Sequence, residues 1–488
     1  MTKVSERSAM DWWHTANLIL VVFGVGLVNS LLGPSLIDLG EIYASAPNEV
    51  AVMNSYRALG LFIGSCVGGF LYERINDQIL MIAMGVIYGA GTVLNPVLPD
   101  LNYFHVLGFS AGVSIGICHI VYPMRLESLK DCEGMLLLIK NVMVKEYINR
   151  TTLMSTSNTV VKKSSDDTVQ AQNGSRQWWT DEGSQVRLVK IWAEDSAPAI
   201  QAIHASYGVG ATIGPFLGAP FLSSRENGLI VRESELHVPY AASGFLYLLI
   251  LVSMVGAYFA DPVGIQKAKE NERAADADSD GTFETLLMTL LFFYLTISVN
   301  SESTFSTLIS VYAFASPSLQ FSKADAAYLA GVFWTTFTGG RIVSIFIAAF
   351  FDVKQLLLVS HSLVLCASGI LVVFGGSAAC TWIGVAMMGS GVSSMYGAAK
   401  ALVFNYFHLR HFHISVILTG ACLGIAIPAY FVPPVVESWP MFLPYYTGCC
   451  NITHLLILLL MFRAVRGKQT IHARKGDRHR VSKENVVV

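Results

Sequence analysis

The sequence predicts an all-α membrane protein in which twelve transmembrane helices form two six-helix bundles with pseudo-two-fold symmetry. The first observation is length: the chain holds twelve long apolar stretches, and about 20 consecutive apolar residues cross a bilayer as a helix. The second is composition, because 53% of the 488 residues are hydrophobic and only 14% are charged. Soluble domains contain about 25% charged residues. The third is one charged linker, residues 266–280, which divides the stretches into six and six.

The twelve predicted spans follow one another with short connections, apart from the connections after the fourth and the sixth. They cover residues 17–38, 51–72, 79–98, 101–122, 197–221, 241–260, 284–314, 325–350, 355–375, 380–404, 412–435 and 441–463. The first apolar run begins at Leu18, and no small-residue cleavage site follows it. We therefore interpret this run as a retained span and not as a removed signal peptide.

Polar segments divide the chain into five regions. We predict a cytoplasmic N-terminus at 1–16, an N-terminal bundle at 17–260, a cytoplasmic linker at 261–283, a C-terminal bundle at 284–463 and a basic tail at 464–488. A polar insertion, 123–190, interrupts the N-terminal bundle, and its composition buries too little apolar surface to fold alone. It is either a lineage-specific cytoplasmic loop or non-coding sequence retained by a gene model, in which case the fourth helix is damaged there.

Lys and Arg residues indicate how the chain lies in the membrane, because cytoplasmic loops carry the excess of positive charge. The loops on one side contain only Arg225, Arg232 and Lys323, whereas the other side holds the remaining basic residues of the loops and both termini. We predict that both termini are cytoplasmic, in a multi-pass protein of the plasma membrane that acts as a monomer. The basic tail is interpreted as a retention charge or an anionic-lipid contact, not as a nucleic-acid patch.

Short strings recur at matching places in the two halves. Val28-Asn29-Ser30 in the first span corresponds to Val299-Asn300-Ser301 in the seventh, and GVGATIGPFLGAP in the fifth corresponds to GACLGIAIPAYFVPP in the eleventh. Dense Gly and Pro permit close helix contact and bending in membranes. Two halves related in this way place a substrate site near the bilayer midplane between them.

Three further motifs carry a family resemblance: GLVNSLLGPSLIDL (26–39), FWTTFTGGR (333–341) and GSGVSSMYGAAKAL (389–402). The chain resembles the major facilitator superfamily, and within it the sodium-dependent glucose transporter branch. The resemblance implies secondary active transport of a small polar solute by alternating access, with glucose or another hexose as the solute and sodium as the coupled ion. No cofactor is predicted beyond that coupling ion, which is sodium or a proton.

Other function classes lack support in the sequence. No phosphate-binding loop follows a predicted strand, and neither H-E-x-x-H nor G-x-S-x-G occurs in a suitable context. We therefore predict that the protein is not an enzyme, does not use ATP, binds no metal at a catalytic site and binds no nucleic acid. Two alternatives stay open: an organic-anion or other metabolite carrier that uses Arg341, and a non-transporting sensor or scaffold that acts through the insertion.

Two ionisable residues lie deep within predicted spans, where an unpaired charge costs several kcal/mol. Glu302 is near the middle of the seventh span and Arg341 near the middle of the eighth. The resemblance also marks both positions as characteristic. One interpretation is that Glu302 carries a cation or proton, since a carboxylate is a hard oxygen ligand. The other is that Glu302 and Arg341 form a fixed ion pair between two helices.

Neutral polar and aromatic side chains in the same spans are the candidates for solute binding, because a sugar requires hydrogen-bonding groups and an aromatic face. These candidates are Asn29, Gln201, His204, Tyr207, Asn300, Trp334 and Tyr396. For each residue alone the alternative is ordinary hydrogen bonding between helices. A proton relay is a further alternative for His204.

Four charged residues are predicted to gate the transporter. Asp38 and Arg57 lie near the external ends of the first two spans and are interpreted as gate or structural partners. Glu73 and Arg74 occupy the turn between the second and third spans, where the resemblance implies a conformational latch. The corresponding loop of the second half retains only Asp352 and Lys354, so the latch has fewer charged residues than the family pattern.

Overall fold

The computed structural model describes residues 9–72, 74–98, 100–119, 196–226, 229–262, 281–347, 351–407 and 411–470. The predicted insertion, most of the predicted linker and the last part of the tail lie outside the described residues. Glu73 also lies outside them, so the latch prediction at that position stays a prediction.

Long helices occur at all twelve predicted spans. In the first half they are α1 (Ala9–Ile42), α2 (Pro47–Ala51), α3 (Met53–Tyr72), α4 (Asp77–Leu94), α5 (Leu101–His119), α6 (Ser196–Gly218) and α7 (His237–Ala260), of which α2 is a short leading turn. In the second half they are α8 (Gly281–Ala315), α9 (Lys323–Ile347), α10 (Val353–Phe374), α11 (Ala378–Phe404), α12 (His411–Ser438) and α13 (Phe442–Ala464).

The predicted helix ends differ from the observed ends by a few residues, and most at the start of α1. This helix begins at Ala9 instead of residue 17, and Asp11 lies in its first turn. An acidic residue there interacts favourably with the positive end of the helix dipole. Apolar patterning marks the membrane-spanning part of a helix and misses a polar turn that precedes it.

Not all twelve long helices are equally apolar. Within the described ranges, nine helices are long and apolar enough to cross a membrane by themselves, and α6, α9 and α11 are not among these nine. These three pack in a row, α6 against α9 and α9 against α11. The more polar helices therefore adjoin one another where the two halves meet.

Glycine permits the closest helix contacts in the N-terminal bundle. Helices α3 and α5 touch backbone to backbone, because a side chain at Gly112 would collide with the carbonyl oxygen of Arg57. One turn further, a side chain at Gly116 would meet the carbonyl oxygen of Leu61. Small residues are enriched at such membrane helix interfaces for this reason. We refer to this contact as the α3–α5 seam.

The internal repeat is visible as two equivalent seams. In the first half, Gly210 of α6 abuts the carbonyl oxygen of Phe23 on α1. In the second half, Gly424 of α12 abuts the carbonyl oxygen of Thr296 on α8. The two glycines belong to the strings that recur in the sequence, so the repeated strings form repeated helix contacts.

One end of the helices lies nearest residues 9, 262, 281 and 470, and we call it the termini face. At this face of the first half, Gln78 Nε2 donates to the Asp261 carbonyl oxygen at 2.9 Å, which joins the start of α4 to the end of α7. In the second half, His413 Nε2 lies 3.0 Å from Glu284 Oε1. The other end is called the opposite face, and it corresponds to the predicted external side.

A short antiparallel hairpin, absent from the sequence prediction, lies at the opposite face between α6 and α7. It consists of β1 (Ser224–Glu226) and β2 (Leu229–Arg232). The Arg232 side chain donates to the Leu222 carbonyl oxygen through Nε at 3.0 Å and Nη2 at 2.7 Å. The hairpin therefore fixes the end of α6 and the residues that follow it.

Apolar packing distinguishes the two ends of the molecule. The largest buried cluster contains residues of both halves, among them Leu31, Leu36, Phe305 and Phe333. Two other clusters each belong to a single half: one surrounds Leu291 and the other surrounds Val21. Because the shared cluster lies toward the opposite face, the two halves are packed together at that end of the molecule.

Candidate functional site

Tyr207 on α6 stands where the two halves meet. Its hydroxyl is hydrogen bonded to the side chain of Asn29 on α1, and it interacts electrostatically with Arg57, Glu302 and Arg341. Its ring lies edge-on to Trp334 on α9, with the ring centroids 6.2 Å apart. Five other residues that the sequence singled out are thereby brought around this side chain, with contributions from both halves.

On the N-terminal side of this site, Arg57 is bound to Asn29. Arg57 Nη1 donates to Asn29 Oδ1 at 2.7 Å, which joins α3 to α1. Arg57 was predicted as a gate or structural partner together with Asp38; its side chain contacts Asn29, a solute-binding candidate, and the gate role stays a prediction. Gly26, one turn from Asn29, lets α6 approach closely, because a side chain there would collide with the Tyr207 carbonyl oxygen.

On the C-terminal side, Glu302 and Arg341 interact without direct contact. The carboxylate and the guanidinium influence each other electrostatically, but these two described residues form no ion pair within 4.0 Å. Arg341 is held separately: its Nε donates to the Ser393 carbonyl oxygen at 3.2 Å, and its guanidinium lies 4.3 Å from the Phe337 ring centroid. This geometry differs from the fixed contact pair that was one of the two interpretations.

Asn300 occupies the place in α8 that Asn29 occupies in α1. Its Nδ2 donates to the Tyr446 hydroxyl at 2.8 Å, and its Oδ1 accepts from Thr304 Oγ1 at 3.1 Å. Sequence reasoning did not identify Tyr446, because nothing in the sequence of α13 distinguishes it from the adjacent Tyr445. Only the packing of α13 against α8 pairs it with Asn300.

An aromatic wall surrounds Trp334. Its ring is edge-on to both Phe333 and Phe337, with centroid distances of 5.4 and 5.3 Å. The indole is buried, and its contact with Tyr207 crosses from one half to the other. The wall therefore places apolar rings next to Tyr207 at the contact between the halves.

The other solute-binding candidates are less central. Tyr396 lies beneath Lys400, whose Nζ is 4.5 Å from the ring centroid. His204 is half-buried, about one turn before Tyr207. Gln201 is in α6, but its side chain lies outside what the structure describes. For these three, solute binding stays a prediction.

Of the described latch residues, Arg74 follows α3 and Asp352 precedes α10, both at the termini face. Arg74 is exposed, and its guanidinium lies 3.9 Å from the Phe70 ring centroid. In the second half, the backbone N–H of Asp352 donates to Gln355 Oε1 at 3.1 Å at the start of α10. Asp352 therefore has a local role in starting a helix.

Asp38 forms the centre of a charged cluster at the opposite face. Its side chain is fully buried, and Oδ1 accepts from Lys323 Nζ at 2.6 Å. Ser223 adds two hydrogen bonds, from its backbone N–H to Oδ2 at 2.6 Å and from its Oγ to Oδ1 at 3.0 Å. Lys323 also reaches Glu41 Oε1 at 2.9 Å. We call Asp38, Glu41, Ser223 and Lys323 the opposite-face lock.

The lock joins the two halves, since Lys323 begins α9 and the other three residues belong to the first half. The sequence analysis counted Lys323 only as a loop charge and did not consider Glu41 or Ser223. A signal was available: a lone Lys at the start of a span lies on the same predicted side as a carboxylate inside a span. A carboxylate buried in a span is costly unless a counter-charge and hydrogen bonds satisfy it, so such a residue requires a partner.

Further hydrogen bonds join the two halves near the opposite face. Asn54 Nδ2 donates to Thr307 Oγ1 at 3.3 Å, and Ser55 Oγ donates to the Ala426 carbonyl oxygen at 2.7 Å. Each bond joins α3 of the first half to a helix of the second. Together with the lock they hold the halves together between the opposite face and Tyr207.

Comparisons with known proteins agree with this architecture. The sequence model of the Major Facilitator Superfamily matches residues 187–429. The chain is 24% identical over 431 residues to the sodium-dependent glucose transporter 1A of Mus musculus, covering 83% of this chain and 86% of the relative. It is 23% identical over 434 residues to the sodium-dependent glucose transporter 1 of Homo sapiens, covering 83% and 70%. Another relative is the major facilitator superfamily domain-containing protein 4A of Danio rerio, 22% identical over 499 residues, with 88% and 83% covered.

Two solved structures have the same arrangement of helices. The nucleoside transporter NupG superposes with a TM-score of 0.60 at 9% identity, over 92% of this chain and 100% of that one. A D-xylose-proton symporter superposes with a TM-score of 0.62 at 12% identity, over 94% and 99%. Together with the twelve long helices of this chain, these superpositions confirm the predicted fold class.

Proposed function

We propose that this chain, which belongs to the major facilitator superfamily and is a multi-pass membrane transporter, transports glucose or another hexose. We further propose that sodium drives the uptake of this solute. The proposal places the protein in the plasma membrane with both termini in the cytoplasm. The observation that carries it is the meeting of polar and aromatic groups from both halves around Tyr207. Relatives named as sodium-dependent glucose transporters support the choice of solute and ion.

The chemistry of the site suits a neutral polyhydroxylated ring. Asn29 and Asn300 supply amide groups that both donate and accept hydrogen bonds, one from each half. Trp334 supplies an apolar ring beside Tyr207. Small-molecule sites combine an apolar or aromatic wall with a few polar groups that fix orientation in this way. The set therefore favours a sugar over a purely apolar solute.

Coupling requires a group whose charge state or ligand changes during the cycle. Glu302 fits because its carboxylate lies at the site without a contact ion pair, so its oxygens are available to a cation. A cation bound there lowers the cost of the buried charge and favours one arrangement of the halves. A ligand shifts a conformational equilibrium only by its difference in affinity between the states, which is how the ion gradient would drive uptake.

Access to the site would alternate between the faces. The halves are packed together on the side of the opposite-face lock, so the proposal assigns entry from the termini face to this conformation. Under the proposed orientation that face is cytoplasmic. The return step then requires the buried contact between Lys323 and Asp38 to break.

The test is uptake of labelled D-glucose into proteoliposomes with and without a sodium gradient, comparing the wild type with Glu302→Gln. We expect the variant to lose concentrative uptake while it keeps normal expression and solute exchange, because Gln matches Glu in size but lacks its charge. Glu49→Gln, at an exposed glutamate of α2, is the matched control and should behave like the wild type. Sodium-dependent accumulation by Glu302→Gln at the wild-type level would refute the coupling role.

An organic-anion carrier is the second candidate, favoured by the two guanidinium groups, Arg57 and Arg341, that interact with Tyr207. Arginine pairs with carboxylates through two parallel hydrogen bonds. Competition distinguishes the candidates: excess hexose should block uptake of the probe if the solute is a sugar, and excess dicarboxylate should block it if the solute is an anion. Absence of flux with every solute would favour the sensor or scaffold.

A further inference from the structure

The charged groups around Tyr207 do not balance one another. Arg57, Arg341 and Glu302 all interact electrostatically with this side chain, so two guanidinium groups and one carboxylate surround it. Glu302 offsets Arg341, because these two residues influence each other directly. Arg57 is then left without an opposite charge in the set. A charge at membrane depth is costly unless a counter-charge or water reaches it.

The hydrogen bonding of Arg57 leaves its charge uncompensated. Its side chain is half-buried, and its Nη1 donates to Asn29 Oδ1, a neutral acceptor, at 2.7 Å. Within the described ranges no carboxylate oxygen lies within 4.0 Å of its guanidinium. A guanidinium has five N–H donors and no acceptor. Most of these donors are therefore available to a ligand.

The bond between Arg57 and Asn29 also determines how Tyr207 is bonded. Because Asn29 Oδ1 accepts from Arg57, the NH₂ group of the same amide is the part that donates to the Tyr207 hydroxyl oxygen. The hydroxyl hydrogen of Tyr207 is then left to donate to another group. Tyr207 thus provides a second donor close to Arg57.

A third donor is the hydroxyl of Tyr88 on α4. This side chain is 2% exposed, and its hydroxyl has no hydrogen-bond partner among the described residues. It interacts electrostatically with Arg57 and with Tyr207. Buried polar atoms are nearly always paired, so an unpaired hydroxyl in the field of a guanidinium needs an explanation. A ligand that accepts hydrogen bonds from both groups would provide one.

An anion is the ligand that these three groups fit. Arg57, Tyr207 and Tyr88 all offer hydrogens, and together they carry a positive charge. A metal ion requires lone pairs of oxygen, nitrogen or sulfur and would be repelled by the guanidinium. A water molecule could accept from the hydroxyls, but it would not offset the charge. The three donors belong to α3, α6 and α4, so the anion would bind within the first half.

We propose that Arg57, Tyr207 and Tyr88 bind a chloride ion, and that this ion is bound together with the solute. Chloride is a small monovalent acceptor and balances one guanidinium. A sodium ion at Glu302 would add a second positive charge near Tyr207, so chloride would also lower the cost of binding the coupling ion. The link with solute and sodium rests on the proposed function, whereas chloride binding does not. A carboxylate of an anionic solute has the same chemistry, and the experiment separates the two sources.

The deciding experiment measures chloride binding and needs no transport. The full chain is purified in detergent, and its melting temperature is compared in sodium chloride and in sodium methanesulfonate of equal ionic strength. A ligand that binds only the folded protein stabilises it. We expect saturating chloride to raise the melting temperature of the wild type by about 2 °C. Equal melting temperatures in the two salts would overturn the proposal.

Three variants show whether the chloride effect belongs to this site. Arg57→Gln removes the charge and should abolish the effect. Tyr88→Phe keeps the ring and removes one donor to an anion, so it should weaken chloride binding by about tenfold. Tyr247→Phe is the matched control, because this buried ring lies 4.9 Å from that of Tyr88 and its electrostatic neighbours are Cys118 and Tyr88. A wild-type response to chloride in Tyr88→Phe would overturn the site, even if Arg57→Gln does not fold.

Sodium succinate identifies the source of the anion. In the same melting experiment, stabilisation by chloride and not by succinate would support the proposal. Stabilisation by succinate alone would overturn it and assign Arg57 to the carboxylate of an anionic solute.

Uptake of D-glucose into proteoliposomes tests the link with transport. With the sodium gradient held constant, replacing chloride by methanesulfonate should lower the initial rate in the wild type by about tenfold, as expected for the loss of one charge-assisted contact. Equal rates in the two salts would overturn the link. Absence of D-glucose uptake in both salts would refute the proposed function, while the melting temperatures would still support or overturn the chloride site.

Discussion

Asn29 and Asn300 occupy corresponding positions in the two halves, yet their side chains have different partners. Asn29 accepts from the charged Arg57 at 2.7 Å, whereas Asn300 donates to the neutral Tyr446 at 2.8 Å. The helix seams beside them are alike, with Gly210 against Phe23 in one half and Gly424 against Thr296 in the other. The repeat therefore preserves backbone contacts, while the polar partners have diverged.

The divergence makes the two halves electrostatically unequal. Around Tyr207 the first half contributes the Arg57 cation and the second half contributes the Glu302 anion, with Arg341 nearby. At the opposite face the signs are reversed, because Asp38 and Glu41 belong to the first half and Lys323 to the second. A pair of pseudo-symmetric bundles thus holds opposite charges across its interface at two depths.

Substitutions at the glycines of the two equivalent seams should have the largest effect on folding. Gly210→Leu should prevent folding, because a Cβ there meets the Phe23 carbonyl oxygen and the Leu27 nitrogen, and overpacking of this kind costs about 3 kcal/mol or more. Gly424→Leu should be harmful but less so. Size-exclusion profiles of the detergent-solubilised protein measure the folded fraction. Gly369→Leu is the control, since a Cβ at Gly369 meets nothing within 4 Å; equal loss in all three variants would contradict the seam argument.

The opposite-face lock tests the charge asymmetry. Asp38→Asn should destabilise the closed arrangement by about 3 kcal/mol, because it removes the fully buried partner of Lys323. Glu41→Gln should cost less than about 1 kcal/mol, because the Glu41 side chain is 37% exposed and solvent screens its charge. Thermal unfolding and cysteine accessibility at the opposite face measure both effects. A larger effect from Glu41→Gln would show that the buried carboxylate is not the main partner.

The two asparagines sharpen the comparison at the solute site. Asn29→Ala should lower kcat/KM for D-glucose by about 30-fold, because it leaves the Arg57 guanidinium without its hydrogen bond, and bonds to charged groups contribute about 2 kcal/mol. Asn300→Ala breaks bonds to neutral groups and should lower it by about fivefold. Initial uptake rates in proteoliposomes provide the measurement. The reverse order would mean that the second half contributes the principal solute contacts.

The smallest effect is expected at the partner of Asn300. Tyr446→Phe removes one neutral hydrogen bond worth about 1 kcal/mol, and should lower the melting temperature by about 2 °C. Its neighbour Tyr445 is 44% exposed on the outer surface of the helix. Tyr445→Phe is therefore the control. An equal shift in melting temperature in both variants would show that the Tyr446 hydroxyl does not stabilise the position of Asn300.

The arrangement of helices could be predicted from the sequence because lipid imposes a single requirement on every span. A backbone in hydrocarbon must satisfy its own hydrogen bonds, so length and apolar composition locate each helix. The β1–β2 hairpin and the first turn of α1 were missed because they lie outside that requirement. Polar residues there follow local turn and capping chemistry, which apolar patterning does not record.

The grouping of the candidate residues around Tyr207 could be predicted in part, and the reason is again physical. Glu302, Arg341 and Tyr207 stand out because polar groups inside spans are costly, and the structure brings them within electrostatic reach of one another. The contact partners of the candidate residues could not be predicted in the same way. Lys323 and Tyr446 are recognisable only after helices that are distant in sequence are packed together. The same holds for Arg57, whose contact with Asn29 depends on the α3–α5 seam and the register of α1.

The α3–α5 seam has a practical consequence. Two helices that touch backbone to backbone cannot slide or separate without losing all contact at Gly112 and Gly116. Spectroscopic probes attached to their outer surfaces would keep one separation whichever way the transporter faces. Such a pair would serve as an internal ruler against which the rocking of every other helix could be measured.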